Sequence, residues 1–582
     1  MEPYRRVSGH FPREASGADL LCRALAEHGV TCVFGVPGTQ TIPLHEALRR
    51  SRIRFVLATH ELAASFMANG YYRASGRVAP LVTIPGPGFT YALTGLAEAR
   101  HDSAAVLHIV ARAPGTDHRR HFQALDQQAV AGPLVKKAFR VDAPGEVPAV
   151  LAQALGCALS GEPGPVLLEW TSEALESTAS APPGAPPPVH PAQDQAAVEL
   201  VAERLVSARR PLLLAGQGCA DASCGLRELA ERLPAPVLTT ASGRGVLPED
   251  HPLALGFDFV SGPGDGLNEL LGTTDLLLAV GCKLGAASGF SRLPLADGKL
   301  VHVDASPKQD RATSPEAVQV EAGAAEFLAG LSAAVRRMGE ARSSWSAPDV
   351  ALWRRRLRTP TAGLEPAVHG ARPATAAAFF AALRAALPRE AIVVSDSGLH
   401  QTLLRRHFEV LAPRGLLLPT DFQSMGFGLP AAIGARLSSP DRPVVAVVGD
   451  GGLAMSGLEI LTAAREGIRL TVIVFADGKL NRIRLDQMAR YGRTAGVDLL
   501  NPDFGALAEA TGARHVKCDG NAEAVLREAI AADALTLVEV PVGDSAAVHA
   551  VRVRGLARGA ARRAMGPGLY RSLRRVLRSG RG

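Results

Sequence analysis

The sequence predicts an α/β protein built from three doubly wound parallel-sheet domains. Helical stretches rich in Ala, Leu, Arg and Glu alternate with short apolar runs that end in Gly or Asp, and two Pro-containing segments divide the 582 residues into three bodies of ordinary domain size. The apolar runs lack strict polar alternation, which is typical of strands that helices cover on both faces. They include residues 32–34, 81–84, 106–110, 277–280, 444–448 and 471–475.

The distribution of proline, glycine and charge predicts six segments. Proline removes a hydrogen-bond donor and fixes φ, so the Pro-rich stretch at 180–191 cannot sustain a helix or a strand. The predicted segments are a first domain at 1–178, a linker at 179–194, a central domain at 195–340, a second linker at 341–372, a third domain at 373–550 and an Arg-rich tail at 551–582.

The first and third domains begin alike. Helical stretches at 18–27 and 376–387, the second with Thr375 as its N-cap, each precede a short strand that leads to Gly35 or to Gly398. This similarity predicts one fold for both domains.

The composition excludes several classes of protein. With 47% hydrophobic and 20% charged residues, the chain is neither a disordered polymer nor a disulfide-stapled miniprotein. Its seven cysteines include no Cys-x-x-Cys pair, so no zinc ribbon is predicted and a reducing cytoplasm is the expected location. We expect no secretion signal at 1–17 and no transmembrane segment.

The formal net charge of +7 comes from the tail at 551–582, which holds ten Arg and no Lys, Asp or Glu. Removing the tail leaves 53 of the 63 basic residues against 56 acidic residues. The body is therefore mildly acidic, and no nucleic acid partner is expected.

The most informative segment, 444–481, reads as a strand, a Gly-Asp-Gly-Gly run at 449–452, a helix over 453–466 and a second strand. A βαβ crossover brings the carboxyl ends of its two strands to one edge of the sheet, so Asp450 and Asp477 should face one crevice. The glycines let backbone N–H groups approach an anion at the helix N-terminus. Two carboxylates beside such a cradle predict a magnesium–diphosphate site. The alternative is a generic turn in which Asp450 caps the helix.

At this spacing the chain resembles the thiamin-diphosphate-dependent decarboxylase and carboligase family, which includes acetolactate synthases and pyruvate oxidases. In that family an Asn or Asp follows the Gly-Asp-Gly run after roughly 25 to 30 residues, as one βαβ crossover would produce. The resemblance covers most of residues 17–545. The segments that carry it are 35–38, 59–71, 86–95, 122–127, 239–252 and 424–430.

The resemblance implies a thiamin diphosphate cofactor and Mg²⁺, with Asp450, Asp477 and the backbone carbonyl of Lys479 as metal ligands. The implied catalytic residues are Glu61, which would share a proton with the pyrimidine N1′, and Gln123 on the substrate side. The implied cofactor-binding residues are Pro37, Pro87, Gly398, Leu399, His400, Gln423, Met425, Gly449, Gly451 and Gly452.

The resemblance also names the domains: pyrimidine-binding, central Rossmann-like and diphosphate-binding. In the family the counterparts of Glu61 and Asp450 usually come from different subunits, so a homodimer or homotetramer with the cofactor at the subunit interface is expected. In the central domain no complete Gly-x-Gly-x-x-Gly follows a strand. An FAD or ADP there is allowed by the resemblance but not expected.

Three of these residues also have ordinary structural interpretations. Glu61 suits a helix start, Met425 suits a core position, and His400 suits a satisfied polar side chain. Two further residues, His118 and His121, lie just before the segment 122–127 and fit either proton transfer near the substrate or solvated loop positions.

The implied reaction is decarboxylation of a small 2-oxo acid followed by transfer of the acyl carbanion to an acceptor, as in acetolactate synthases. The alternatives are a simple decarboxylase, a lyase acting on a 2-hydroxyacyl or oxalyl thioester and, in another class, a non-catalytic regulator of the same fold. The sequence departs from the expected pattern at several positions. Ser172 stands where acetolactate synthases commonly carry lysine, no tryptophan follows Asp477 in the substrate region, Tyr91 stands where Asn is common and Gly452 where Ser is frequent. At Asp477 itself, Asn is commoner in the family.

Overall fold

The computed structural model describes residues 14–113, 117, 119–180, 194–256, 265–284, 298–306, 317–358, 365–545 and 548. Three mainly parallel sheets organise these residues, as the sequence predicts. The Arg-rich tail, most of the first linker and His118 lie outside the described residues.

The first body begins and ends with a strand. Its strands are β1 Glu14–Ser16, β2 Cys32–Gly35, β3 Arg54–Leu57, β4 Leu81–Thr83, β5 Leu107–Ala111, β6 Ala138–Val141, β7 Val166–Trp170 and β8 Thr178–Ser180. Its helices are α1 Gly17–Glu27, α2 Ile42–Arg50, α3 Glu61–Ser75, α4 Pro87–His101, α5 Gln127–Ala131, α6 Val147–Leu159 and α7 Ser172–Glu176. Strands β1 and β8 form a separate antiparallel pair, so β8 extends into the predicted linker.

The middle body has one parallel sheet in the order β10-β9-β11-β12-β13. Its strands are β9 Pro211–Ala215, β10 Val237–Thr239, β11 Leu276–Val280, β12 Leu300–Asp304 and β13 Val318–Glu321. Its helices are α8 Gln195–Ser207, α9 Ser223–Arg232, α10 Asp265–Thr273, α11 Ala324–Met338 and α12 Ala347–Arg358. Leu213 packs in one apolar core while Leu212 and Leu214 pack in another, so both faces of the sheet are covered.

The third body carries the chemically informative segment. Its strands are β14 Ala367–Val368, β15 Ile392–Ser395, β16 Leu416–Leu417, β17 Val444–Gly449, β18 Thr471–Ala476, β19 Arg514–Lys517 and β20 Thr536–Gly543. Its helices are α13 Ala376–Ala386, α14 Leu399–His407, α15 Gly428–Ser438, α16 Asp450–Ser456, α17 Glu459–Arg465, α18 Asn481–Tyr491, α19 Phe504–Thr511 and α20 Ala522–Ala531. Thr375 caps α13 by accepting from the Ala378 amide, as predicted.

The first and third sheets share one strand order, as their similar beginnings predict. The first runs β3-β2-β4-β5-β7-β6, and the third runs β16-β15-β17-β18-β20 with β19 beside β20, all parallel. The short β14 adds to β20 in antiparallel direction. In each sheet one strand, β2 or β15, has the next two strands of the chain on its opposite sides: β3 and β4 flank β2, and β16 and β17 flank β15. Such a switch point opens a crevice at the carboxyl ends of the strands.

The segment predicted as a second linker, 341–372, contains helix α12. Trp345, Val350 and Trp353 are buried in the core on one face of the middle sheet. The Trp345 indole also donates to the Pro211 carbonyl at 2.8 Å. Part of this segment therefore belongs to the middle body, because its aromatic side chains supply core that the sheet needs.

The helix predicted over 453–466 is divided into α16 and α17. At the division the amide of Ile460 donates to Gly457 and that of Leu461 donates to Leu458, both three residues back. This tighter 3₁₀ type of bonding interrupts the α-helical ladder and starts a new helix at Glu459.

The first and third bodies pack through the equivalent helices α3 and α15. A Cβ on Gly70 would lie 2.1 Å from the Ala431 carbonyl oxygen, and a Cβ on Gly434 would lie 1.9 Å from that of Met67. The two helices therefore approach closely enough to require glycine on both sides. Within the described residues, no helix is long and apolar enough to cross a membrane.

We expect Gly70→Ala to lower the free energy of unfolding by about 2 kcal/mol or more, because the added methyl meets rigid backbone rather than a movable side chain. Gly272→Ala in α10 is the control, since its Cβ would meet no atom within 4 Å. Thermal unfolding of both variants measures the difference, and equal melting temperatures would contradict the close α3–α15 contact.

Candidate active site

The predicted residues of the first body gather at the carboxyl ends of β2 and β4. A Cβ on Gly88 would lie 3.1 Å from Glu61 Oε1 and 2.7 Å from the Ile84 side chain, and a Cβ on Gly38 would lie 2.2 Å from that same side chain. Pro87 begins α4, so the Gly-rich turn leads directly into a helix. The structure thus brings the turn after β2, the turn after β4 and Glu61 together.

Glu61 is the first residue of α3, and His60 caps this helix by accepting from the Leu62 amide at 3.1 Å. The Glu61 carboxylate is half-buried and has no hydrogen-bond partner among the described residues. Pro37 lies exposed in the neighbouring turn. Glu61 is therefore available to a ligand that enters this crevice.

Gln123 is held against the same turn in a strained conformation. Its φ is 57°, a region that residues other than glycine rarely adopt. Its Oε1 accepts from Gln40 Nε2 at 2.7 Å, and a Cβ on Gly86 would lie 3.1 Å from its carbonyl oxygen. Strain of this kind concentrates at functional sites.

In the third body, the predicted diphosphate turn lies where β15 leads into α14. Leu399 and His400 are the first residues of α14 and are buried. The His400 ring lies 2.7 Å from the Cβ position of Gly398 and 3.0 Å from that of Gly449, so both positions need glycine. His400 Nε2 donates to the Asp396 carbonyl at 3.0 Å, and burial lowers the pKa of the imidazole to about 4. A neutral ring bonded in this way can only accept at Nδ1.

Asp450 is fixed by four N–H groups. Its Oδ1 accepts from the Gly451 amide at 2.8 Å, and its Oδ2 accepts from the amides of Asp477 and Gly478 at 2.9 and 2.6 Å and from Asn501 Nδ2 at 2.9 Å. The carboxyl ends of β17 and β18 thus meet, as the βαβ rule predicts. Oδ1 keeps acceptor capacity for a further ligand.

Asp477 supplies the second carboxylate. Its Oδ1 accepts from the Lys479 amide at 3.0 Å and its Oδ2 from Asn481 Nδ2 at 2.7 Å. Burial, followed by the nearby Asp450 charge, raises the pKa of Asp477 to about 6. No described hydrogen bond uses the Lys479 carbonyl.

This donor set fits a hard cation, because two carboxylates with spare oxygen capacity lie beside the Lys479 carbonyl, which no hydrogen bond between described residues uses. The part of the chain that the structure describes has no cluster of three or more His, Cys, Asp or Glu side chains that could hold a metal. A pair of carboxylates completed by a backbone carbonyl contains only two such side chains.

The predicted pyrimidine-holding turn lies beside this carboxylate pair. Gln423 has a φ of 60°, which makes it the second predicted site residue in the left-handed region. The Met425 Cε lies 3.4 Å from the Cβ position of Gly451, so the Met425 side chain extends over the Gly-Asp-Gly-Gly run. The turn and the metal-type site are therefore one assembly.

A cavity of about 480 Å³ lies between the first and third bodies. Thr59, His60 and Leu62 line it from one side, and Asp450 and Leu453 line it from the other. In the described ranges, no hydrogen bond joins Glu61 to Asp450 or Asp477 of the same chain.

Comparison with known proteins identifies the family of the chain. Residues 15–130 match the N-terminal TPP binding domain of thiamine pyrophosphate enzymes, residues 198–331 match their central domain, and residues 396–540 match their C-terminal TPP binding domain. The chain is 34% identical to the probable 2-ketoarginine decarboxylase AruI of Pseudomonas aeruginosa, over 90% of this chain and 94% of that protein. The chain belongs to the thiamine pyrophosphate enzyme family.

Other relatives carry a different name. The chain is 30% identical to the probable acetolactate synthase large subunit of Methanocaldococcus jannaschii, over 92% of this chain and 93% of that protein. It is also 30% identical to the acetolactate synthase isozyme 1 large subunit of Escherichia coli, over 88% of this chain and 90% of that protein. It is thus a thiamine-pyrophosphate-dependent enzyme of the acetolactate synthase and decarboxylase type.

Asp396 is a residue of the site that the sequence did not predict. It is fully buried and accepts from the amides of Ser397 at 2.7 Å, Gly426 at 3.1 Å and Gly428 at 3.2 Å, while burial raises its pKa to about 6. A Cβ on Gly452 would lie 2.6 Å from Asp396 Oδ2, so Asp396 packs directly against the start of α16. Its position directly after β15 is the signal that could have identified it.

Glu98 is a second residue that was missed. Its Oε2 accepts from the Ser424 amide at 2.8 Å, whereas its buried Oε1 has no partner among the residues that the structure describes. Beside it, Asp102 is paired with Arg73 at 2.7 Å and accepts from Asn69 at 3.2 Å. Burial, then the Asp102 charge, raises the pKa of Glu98 to about 7. Glu98 thus fixes the start of the Met425 turn from the first body.

A second cavity, of about 640 Å³, lies at the carboxyl end of the middle sheet. Lys283 forms an ion pair with Glu162 at 2.7 Å and donates to the His101 carbonyl at 2.7 Å. Asp304 ends β12 at this cavity. A nucleotide bound by the middle domain would have to enter here.

We expect Glu98→Gln to make the protein more stable than the wild type at about pH 8 and equally stable at about pH 5. The raised pKa of Glu98 means that the folded state binds the proton more tightly, so its contribution to stability is lost as the pH rises from the unfolded value to about 7. A glutamine oxygen still accepts from Ser424 but does not ionise.

Melting temperatures across this pH range provide the measurement, with Glu340→Gln at an exposed position as the control. The same difference between variant and wild type at both pH values would show that Glu98 does not titrate in this way.

Proposed function

We propose that this enzyme decarboxylates a 2-oxo acid with thiamine pyrophosphate and Mg²⁺ and transfers the resulting acyl group to an acceptor, as in acetolactate synthases. The observation that carries the proposal is that one chain holds two features together: Glu61, which has no hydrogen-bond partner among the described residues and lies beside a Gly-rich turn, and the adjacent carboxylates of Asp450 and Asp477. The relatives named acetolactate synthase support the transfer step.

Each end of the cofactor has residues suited to it. Asp450, Asp477 and the Lys479 carbonyl would hold Mg²⁺, and the amides around Gly451 would face the diphosphate. When bound, thiamine pyrophosphate supplies the electron sink for breaking the bond next to the carbonyl. Met425 would pack against the bound cofactor, because its side chain already extends over the Gly-Asp-Gly-Gly run.

At the pyrimidine end, Glu61 would hold the proton at N1′ in a half-buried crevice whose near neighbours in sequence are uncharged. The Gln423 carbonyl and the Met425 amide would orient the ring edge. Gln123 would face the substrate from the strained turn beside Gly86.

We infer a homodimer or homotetramer in which Glu61 of the partner subunit completes the site built on Asp450. Support comes from apolar side chains exposed on α16, α17 and the turn between them. These side chains are Met455, Leu458 and Leu461. We also propose a cytoplasmic location, because the seven cysteines are an odd number and include no Cys-x-x-Cys pair.

Simple decarboxylation is the second candidate, in which a proton replaces the acceptor. The relative named 2-ketoarginine decarboxylase favours it. So does His121, which lies two residues before Gln123 and whose buried Nδ1 has no hydrogen-bond partner in the described part of the chain.

Product analysis separates the two candidates. The purified enzyme with both cofactors and a panel of 2-oxo acids, from pyruvate to guanidino-substituted acids, should release carbon dioxide. A product that contains the carbon skeletons of two substrate molecules supports transfer, and stoichiometric aldehyde supports simple decarboxylation. If no 2-oxo acid yields carbon dioxide while a 2-hydroxyacyl or oxalyl thioester is cleaved, the lyase alternative replaces both.

Two variants should separate the role of Glu61 from that of the carboxylates Asp450 and Asp477. Glu61→Gln should bind thiamine pyrophosphate with Mg²⁺ nearly as the wild type does but exchange the cofactor C2 proton about 100-fold or more slowly, because it loses an acid–base group. Asp450→Asn should lose Mg²⁺-dependent binding, because it removes one ligand charge.

Calorimetry with and without Mg²⁺ and deuterium exchange followed by NMR make these measurements, with Asp441→Asn at an exposed position as the control. Wild-type exchange in Glu61→Gln would mean that another group performs this role, and unchanged binding in Asp450→Asn would remove the metal assignment.

A further inference from the structure

Helix α17 of the third body lies along the loop that joins β3 to α3 in the first body. Thr462 Oγ1 is within 3.4 Å of the Leu57 carbonyl oxygen, and the Arg465 guanidinium donates to the same oxygen. Just beyond the end of α17, the Glu466 carboxylate pairs with Arg54 at 2.7 Å. Helix α17 and the residue after it therefore contact both ends of β3, the strand that leads into the loop before Glu61.

Glu459, the first residue of α17, makes the most buried of these contacts. Its side chain is 1% exposed, and its Oε1 accepts from the Thr59 amide at 3.0 Å and from the Thr59 hydroxyl. Its Oε2 accepts from the Thr462 hydroxyl at 2.6 Å. A carboxylate without solvent depends on such donors, and hydrogen bonds to a charged acceptor in a buried site are strong.

Thr59 lies two residues before Glu61, and His60 between them caps α3. The position of Thr59 therefore sets where the first turn of α3 begins and how far the Glu61 carboxylate reaches into its crevice. A displacement of about 1 Å at a reacting group can reduce a rate by about two orders of magnitude.

We propose that Glu459 is a positioning residue for Glu61, acting through Thr59. The proposal rests on the proposed function in taking Glu61 as the catalytic acid. Helix α17 belongs to the crossover that begins at Asp450 and ends at Asp477, so the segment suited to Mg²⁺ is joined directly to the loop that presents Glu61. In the inferred dimer, Asp450 and Glu61 of one chain belong to different active sites. Glu459 therefore links one site to the other.

Three variants test the proposal. Glu459→Ala removes both acceptors, Glu459→Gln keeps a carbonyl-type acceptor for Thr59, and Thr59→Val removes only the hydroxyl donor. Glu466→Gln is the control, because it alters the other end of the same helix without touching Thr59.

The first measurement uses the protein without cofactor. Amide hydrogen exchange in the peptide that spans residues 57–66 should become at least about tenfold faster in Glu459→Ala, should remain close to wild type in Glu459→Gln and in the control, and should lie between these values in Thr59→Val. Unchanged exchange in Glu459→Ala would overturn the proposal whatever the enzyme catalyses. If Glu459→Ala does not fold, Thr59→Val decides this measurement.

The second measurement is exchange of the cofactor C2 proton. It should slow about 10- to 100-fold in Glu459→Ala with thiamine pyrophosphate affinity changed less than about threefold, and it should not slow further when Glu459→Ala is added to Glu61→Gln. An equal further loss in the Glu61→Gln background would indicate a general structural role and overturn the proposal. Failure of the wild type to bind thiamine pyrophosphate would instead refute the proposed function and leave the amide-exchange result to decide the role of Glu459 in the loop.

Discussion

The close contact between α3 and α15 is the constraint on which the rest of the site depends. The backbones meet at Gly70 and Gly434, where any side chain would overlap a carbonyl of the other helix. Helix α3 begins at Glu61, and α15 follows the turn that contains Met425. Fixing the two helices against each other therefore fixes the relative positions of the acid and of the turn in one chain. Packing that is this tight does not deform continuously, so both elements are held rigidly.

Buried carboxylates provide the second level of organisation. Asp396, Glu98 and Glu459 each accept backbone N–H groups from a segment next to the site, and burial raises the pKa of each carboxyl group. Solvent is nearly excluded, so these hydrogen bonds are stronger than they would be in water, and leaving one unmade is correspondingly costly. A polar network of this kind preorganises a site because its members have few alternative arrangements.

The sequence predicted those parts of the site that lie within one supersecondary unit. Asp450 and the backbone of Asp477 are hydrogen-bonded because a single crossover brings the ends of β17 and β18 together. It did not predict that Glu98 would bind Ser424, 326 residues away, or that Glu459 would bind Thr59, 400 residues away. A glutamate in an amphipathic helix has the same local pattern whether it faces solvent or a distant loop.

The alternation of helices and strands, the parallel sheets, the shared fold of the first and third bodies and the meeting of Asp450 and Asp477 at one sheet edge were predicted from residue patterns. These features depend on interactions between residues that are close along the chain or joined by one crossover. The inclusion of α12 in the middle body, the division of the helix after Asp450 and the partners of the buried carboxylates emerged only in the folded molecule. They depend on which surfaces of separate sheets meet, and that choice is made by packing and by the need to satisfy every buried polar group at once.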